Sequence, residues 1–283
     1  MEKFNFNGTV KLIATDLDGT LLNPNMEVTR ENREALARCV ARGIHVVVAT
    51  GRSESSVPQT VKDIGGIRYL VCANGAKIYD NVTGEQLYAR YLSREAVESV
   101  WDVIASGEVM CEVFFDGKPY VSAACHDDPE RYGVPARFLG YIRASRIPTD
   151  DLPALTRTHM DVIENINFNY GSEAMRARLF ERLSGSELYE FTTSLPFNYE
   201  IGGLGVNKAK AIEFLCQRLS ILPSETMCIG DNDNDAGMIS YAGVGVAMGD
   251  AAPAARAAAD FVTLDCGQNG VAHAIDRFVP PPV

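Results

Sequence analysis

Two apolar runs constrain what this chain can fold into: Val10–Ala14, and Ile44–Thr50 with the sequence IHVVVAT. Short, continuous apolar runs of this length read as buried strands. Between them, TRENREALARCVARG reads as a helix. Thr29 is its N-cap, Leu36, Cys39 and Val40 lie opposite the polar Glu34, and Gly43 stands in the C′ position. Strand–helix–strand at this spacing is a βαβ unit, which implies a parallel sheet and a right-handed crossover. Ligands of such sheets bind beyond the carboxyl ends of the strands. The residues that follow each run therefore carry the chemistry.

The first run continues as KLIATDLDGTLL and ends in two carboxylates, Asp16 and Asp18. Their spacing of two points both side chains the same way. Gly19 permits a sharp turn, and Thr20 offers a hydroxyl or an amide to an anion. Taken alone, this pentapeptide also fits a solvated strand-to-loop turn, since Asp and Gly favour turns. The second run ends in Thr50-Gly51-Arg52, and a third, Tyr69–Cys72, ends in Ala73-Asn74-Gly75.

The character changes after Gly84. A helix over 93–106 capped by Ser93, a hairpin turning at Asp116-Gly117, the alternating run MDVIENINFNY, a helix ending at Gly185 and the strand ELYEFTT together predict an inserted α+β module. Its bounds are 85–189. The parallel pattern resumes at Phe197 with a strand, a glycine loop and a helix from Asn207. Lys208 falls in that helix's first turn, where the macrodipole disfavours a cation, and by itself reads as a surface lysine. TMCIG, Thr226–Gly230, is a further strand and ends in GDNDND. Five consecutive Asp and Asn residues exceed what capping requires, and their hard oxygens suit Mg²⁺.

Of 283 residues, 46% are hydrophobic and 22% charged, which suits a soluble globular chain. A formal net charge of −11 argues against nucleic-acid backbones and anionic membranes as partners. It does not exclude a phosphorylated metabolite, because a divalent cation reverses the local field. No apolar run approaches the roughly 20 residues of a membrane span, and the N-terminus lacks the blocks of a secretory leader, so a cytoplasmic location is expected. The seven cysteines are scattered without a C-x-x-C pair and read as buried thiols rather than as disulfides or a zinc site.

In order along the chain, DLDGT, TGR, the lysine of GVNK and GDNDND make a set that no single motif makes. With it the chain resembles phosphatases of the haloacid dehalogenase (HAD) superfamily, in the Cof-like branch that carries a large, type IIB cap after the third strand. The resemblance covers the whole chain. It implies an α/β fold: a Rossmann-like parallel-sheet core, 1–84 and 190–283, with the α+β cap at 85–189. It also implies Mg²⁺-dependent hydrolysis of small phosphorylated metabolites, sugar phosphates foremost and pyridoxal phosphate or FMN as rivals.

The same resemblance implies roles for individual residues. Asp16 is the nucleophile that forms an aspartyl-phosphate, and the Asp18 side chain is the acid and base. Asp16, the main-chain carbonyl of Asp18, and Asp231 hold the metal, with Asp235 supporting it from behind. Thr50, the Gly51 amide, Lys208 and Asn234 hold phosphate oxygens. Arg52 and Asn74 are further candidates for substrate contact, and Asp233, an acid additional to the family's pattern, is expected in solvent. An acid at position 18 separates the chain from dehalogenases, which need none there, and from transporting ATPases, which carry Thr. The same core also serves phosphomutases, which require a bisphosphate cofactor, and a non-catalytic phospho-ligand binder; the intact Asp16, Asp18, Lys208 and Asp231 disfavour the last. The physiological substrate, the cap residues that select it and the oligomeric state are not legible in the sequence.

Overall fold

The computed structural model describes residues 8–195 and 197–280; the stretch up to Asn7, read above for a leader, lies outside the described residues. Among the described residues no helix is long and apolar enough to cross a membrane. In chain order the strands are β1 (Leu12–Thr15), β2 (His45–Ala49), β3 (Ile67–Cys72), β4 (Lys77–Asp80), β5 (Gln86–Ala89), β6 (Met110–Phe115), β7 (Lys118–Ser122), β8 (Ile147–Thr149), β9 (Asn165–Asn169), β10 (Tyr189–Thr192), β11 (Asn198–Gly203), β12 (Thr226–Gly230), β13 (Val244–Ala247) and β14 (Phe261–Val262). The chain divides into two compact units. One takes the residues up to Thr50, Val57–Tyr88 and those from Asn207 onward; the other takes Gly51–Ser56 and Ala89–Val206.

The first unit is built on one sheet of order β14-β13-β12-β1-β2-β3-β4-β5, parallel from β14 through β3. β1 sits in its middle, with Thr15 registered against Ile229 of β12 on one side and Val48 of β2 on the other. The chain order reverses at this place, running out to β2 and β3 from one edge of β1 and returning as β12 on the other. Such a switch point opens a crevice at the strand ends.

Both faces of the sheet are covered, as near-continuous apolar strands require. Ile13, Val46 and Val48 pack with Leu36 and Cys39 of the helix Arg30–Ala41 and with Ile275. Leu12, Ala14, Val47 and Ala49 pack with Ala211, Ile212 and Leu215 of the helix Lys208–Leu219. The first helix begins as the sequence predicts, with the Thr29 hydroxyl accepting from the Asn32 amide at 3.3 Å, a cap of about 1 kcal/mol. All seven cysteines are buried free thiols.

The inserted unit carries a sheet of order β10-β11-β9-β6-β7-β8. Its hairpin β6–β7 turns at Asp116 and Gly117, with φ of 51° and 70°, the paired left-handed geometry of a two-residue turn that matches strand twist. One face is apolar: Cys111, Val113, Phe115, Ile166, Phe168, Tyr199 and Ile201 pack with Val97, Ile104, Leu179 and Leu183 from the helices Arg94–Ser99, Trp101–Ser106 and Glu173–Leu183.

The structure corrects the domain bounds. The second unit takes Gly51–Ser56, which the range 1–84 gave to the core, and its inserted stretch is Ala89–Val206, not 85–189; the core resumes at Asn207 rather than at 190. The strand expected to restart the parallel core is β11, and it pairs antiparallel with β10 and β9. The reason is its alternation. Tyr199 and Ile201 face the apolar side while Asn198 and Glu200 face the other, which suits an antiparallel sheet and not a strand buried on both faces. Consequently Lys208 does not follow a core strand; it opens a helix directly after the inserted unit.

Candidate active site

The adjacent ends of β12, β1, β2 and β3 and one helix start define a cluster within the core unit. Asp16 leaves β1 with its amide donating to the Ile229 carbonyl at 2.9 Å, so its position is fixed against β12. Lys208, only 1% exposed, donates from Nζ to Asp16 Oδ1 and to Asp235 Oδ1, each at 2.6 Å. Asn207 caps its helix by accepting from the Lys210 amide at 2.9 Å. The two carboxylates supply what the macrodipole withholds from a cation in a first helical turn.

β12 ends at Gly230, and the chain then wraps around the Asp235 carboxylate. Asp235 Oδ2 accepts from the amides of Asp231 and Asn232 at 2.9 and 3.0 Å. Both oxygens of Asp235 are thereby engaged by protein donors. The Thr20 hydroxyl donates to Asp231 Oδ1 at 2.6 Å and so holds that carboxylate toward the first strand's turn. Gly19 is required there twice over: its φ is +82°, and a Cβ would stand 2.5 Å from Asp231 Oδ2. Asp18 is half-buried on the same turn.

The neighbouring strand ends are tied in as well. Thr50 donates its amide to the Val71 carbonyl at 2.8 Å, and the Asn74 amide donates to the Thr50 carbonyl at 3.1 Å. Asn74, in the left-handed region at φ 55°, accepts at Oδ1 from Asn234 Nδ2 at 3.0 Å. Asp233 is exposed, as expected. Gly51 and Arg52 belong to the other unit. There Arg52 is buried, not a surface residue: its guanidinium lies 4.1 Å from the centre of the Tyr141 ring and donates to the Ser56 carbonyl at 3.0 Å. The sequence offers the Thr20 hydroxyl or amide to an anion; the hydroxyl donates to the carboxylate of Asp231.

Burial pushes the Asp16 carboxyl well above the usual range, reinforced by Asp235, Asp231 and Asp18 and opposed by Lys208. Burial, then Asp235, push Asp231 up to about 7 against the Thr20 hydrogen bond. Burial works against the charge of Lys208, yet Asp16 and Asp235 hold its pKa above the ordinary lysine value. Crowded carboxylates raised in this way store an electrostatic cost that a cation relieves. Oxygen atoms of Asp16, Asp231 and Asp235 lie within 4.8 Å of one another. Both oxygens of Asp235 already accept from protein donors, so Asp16 and Asp231 are the better placed of the three to hold an ion.

A family model of haloacid dehalogenase-like hydrolases matches residues 13–275. The chain belongs to this family. It is a hydrolase, and relatives that it matches end to end are named phosphatases. The phosphatase YwpJ of Bacillus subtilis (strain 168) is 30% identical over 281 residues, covering 93% of this chain and 98% of its own. The 5-amino-6-(5-phospho-D-ribitylamino)uracil phosphatase YcsE of the same organism is 28% identical over 270 residues, covering 95% and 96%. A solved haloacid dehalogenase-like hydrolase from B. subtilis superposes with a TM-score of 0.84 at 28% identity, over 94% of this chain and 99% of its own.

Proposed function

We propose that this hydrolase is a Mg²⁺-dependent phosphatase acting on small phosphorylated metabolites through an aspartyl-phosphate on Asp16. The observation that carries the reading is the chain Asp16–Lys208–Asp235, buried and hydrogen-bonded throughout, with Asp231 beside it. A carboxylate fixed at a strand end, oriented by a lysine and crowded by further carboxylates, is a nucleophile that awaits both a cation and an electrophile.

Asp16, the Asp18 carbonyl and Asp231 are the residues that would hold Mg²⁺, which would supply positive charge to offset that of the phosphate. An Asp16 oxygen attacks phosphorus, and the bond from phosphorus to the leaving alcohol's oxygen breaks. The Asp18 side chain gives that oxygen its proton. In the second half Asp18 takes a proton from water, the water oxygen attacks the aspartyl-phosphate, and inorganic phosphate departs with Asp16 restored. Thr50, Lys208, Asn234 and the Gly51 amide are assigned to the non-bridging oxygens, where positioned donors supply most of the stabilisation in phosphoryl transfer.

Sugar and polyol phosphates are the substrate class we assign. The relative whose name includes a phospho-ribityl group supports this choice. Phosphate release from a panel of phosphorylated metabolites, with Mg²⁺ and with a chelator, tests the reading. Metal-dependent release with sugar or polyol esters at the top is expected; release indifferent to the chelator, or none from any ester, contradicts it.

A further inference from the structure

β3 ends in a turn with an unusual backbone. Ala73, Asn74 and Gly75 have φ of 48°, 55° and 104° in succession, and all three are buried. Side chains in this region strain the backbone, and such strain persists only where the surroundings over-determine it. Three contacts do so here, all within the core unit. The Asn74 amide donates to the Thr50 carbonyl at 3.1 Å, which ties the turn to the end of β2. Gly75 lies against the start of the helix Lys208–Leu219: an added Cβ would stand 2.4 Å from the carbonyl oxygen of Asn207, the residue that caps it. The Asn74 side chain makes the third contact, its Oδ1 accepting from Asn234 Nδ2 at 3.0 Å.

That hydrogen bond decides which edge of the Asn234 amide faces a ligand. Asn234 is half-buried on the loop after β12. An amide side chain presents a donor on one edge and an acceptor on the other, and its terminal torsion admits both orientations. Only the nitrogen edge serves a phosphate oxygen; the oxygen edge repels it. Asn74 Oδ1 takes one of the two hydrogens on Asn234 Nδ2, which selects the orientation and leaves the second hydrogen to give to an anion. The left-handed backbone and 5% exposure of Asn74 in turn keep the acceptor from swinging away.

We propose that Asn74 is a positioning residue, which touches no substrate and acts through Asn234 by holding that amide with its donor edge toward the phosphate. The inference rests on the phosphatase reading, with Asn234 as a phosphate contact. It gives Asn74 an indirect role in place of the direct substrate contact that the sequence suggests.

The test is a double-mutant cycle of Asn74→Gly and Asn234→Ala at saturating Mg²⁺, read by kcat and KM for p-nitrophenyl phosphate and by inhibition with inorganic phosphate. Glycine adopts positive φ freely and keeps the amide that bonds Thr50, so Asn74→Gly removes the side-chain acceptor alone. It should raise KM and the inhibition constant of phosphate by about three- to tenfold, the worth of one hydrogen bond, with kcat changed much less. Asn234→Ala should weaken phosphate by at least as much. Added to Asn234→Ala, Asn74→Gly should change these constants by less than about twofold. A merely structural Asn74, or one that itself touches substrate, makes the two losses multiply, and losses that multiply overturn the inference. So does an Asn74→Gly variant with wild-type constants, or an Asn234→Ala variant that binds phosphate as the wild type does; each leaves the chemistry of Asp16 standing. Thermal unfolding confirms that the variants are folded, and Asn74→Ala runs the same cycle should the glycine variant not fold. No Mg²⁺-dependent turnover of any ester by the wild type removes the phosphatase reading and this inference with it.

Discussion

Lys208 and Asp16, 192 positions apart in sequence, meet as a buried ion pair with Nζ 2.6 Å from Oδ1. The same Nζ holds Asp235 at the same distance. One cation thus joins the first strand's end to the loop after β12, and both site geometry and stability depend on it.

Lys208→Met keeps the length of the side chain and removes the charge. It leaves Asp16 and Asp235 buried without their cation, a loss of about 3–5 kcal/mol for a broken buried pair. Turnover should fall by about 10²-fold or more, because Asp16 is no longer oriented. Urea unfolding and phosphate release measure the two effects; a variant of unchanged stability would contradict the placement of this ion pair.

The raised pKa values of Asp16 and Asp231 give a signed expectation for the metal-free protein. In the unfolded chain both groups ionise near the ordinary aspartate value of 3.8, whereas in the folded chain Asp231 is pushed up to about 7 and Asp16 is also raised. Across that window the folded state binds more protons than the unfolded, so stability falls as pH rises. Melting temperature without metal should therefore drop between about pH 5 and about pH 8. Added Mg²⁺ should raise it, most at the upper end. A melting temperature indifferent to Mg²⁺ at high pH would remove the metal assignment.

Thr20→Val removes the hydroxyl that donates to Asp231 Oδ1. Partners behind a metal ligand are typically worth 10–100-fold in affinity. The Mg²⁺ concentration for half-maximal activity should rise by about tenfold or more, with the rate at saturating metal largely retained. Asp231→Ala should raise the requirement further and depress every ester alike. A Thr20 variant with unaltered metal dependence would make its hydrogen bond merely structural.

Much of this core was legible because its strands are apolar throughout and end in small polar residues: β1, β2, β3 and β12 all lie where the apolar runs place them. β11 was not, because a glycine-rich loop and a helix start after it imitate a core βα unit, while the alternation of Asn198, Tyr199, Glu200 and Ile201 that assigns it elsewhere is only four residues long. Lys208 looks like a surface lysine until packing buries it between two carboxylates. Arg52 was equally open, since nothing local reveals the Tyr141 ring that covers it.

In the inserted unit, Glu112 and Arg146 are both buried and joined by two hydrogen bonds to Glu112 Oε2. Removing one partner strands a buried charge, so Glu112→Ala should cost about 3–5 kcal/mol, and Glu112→Met with Arg146→Met should recover a large part of it. A double-mutant cycle in urea measures the coupling; additive losses would show that the pair is not a unit.

The central claim is a covalent phosphoryl group on Asp16. Asp18→Asn should slow the attack of water on that group, since the variant has no base. Mixing this variant with Mg²⁺ and p-nitrophenyl phosphate, quenching in acid and sequencing the peptides by mass spectrometry reads the claim directly. A phosphoryl group on Asp16, absent when Asp16→Asn is added to the variant, is the predicted result. A phosphoryl group on any other residue, or none while p-nitrophenol is released in a burst, would contradict it.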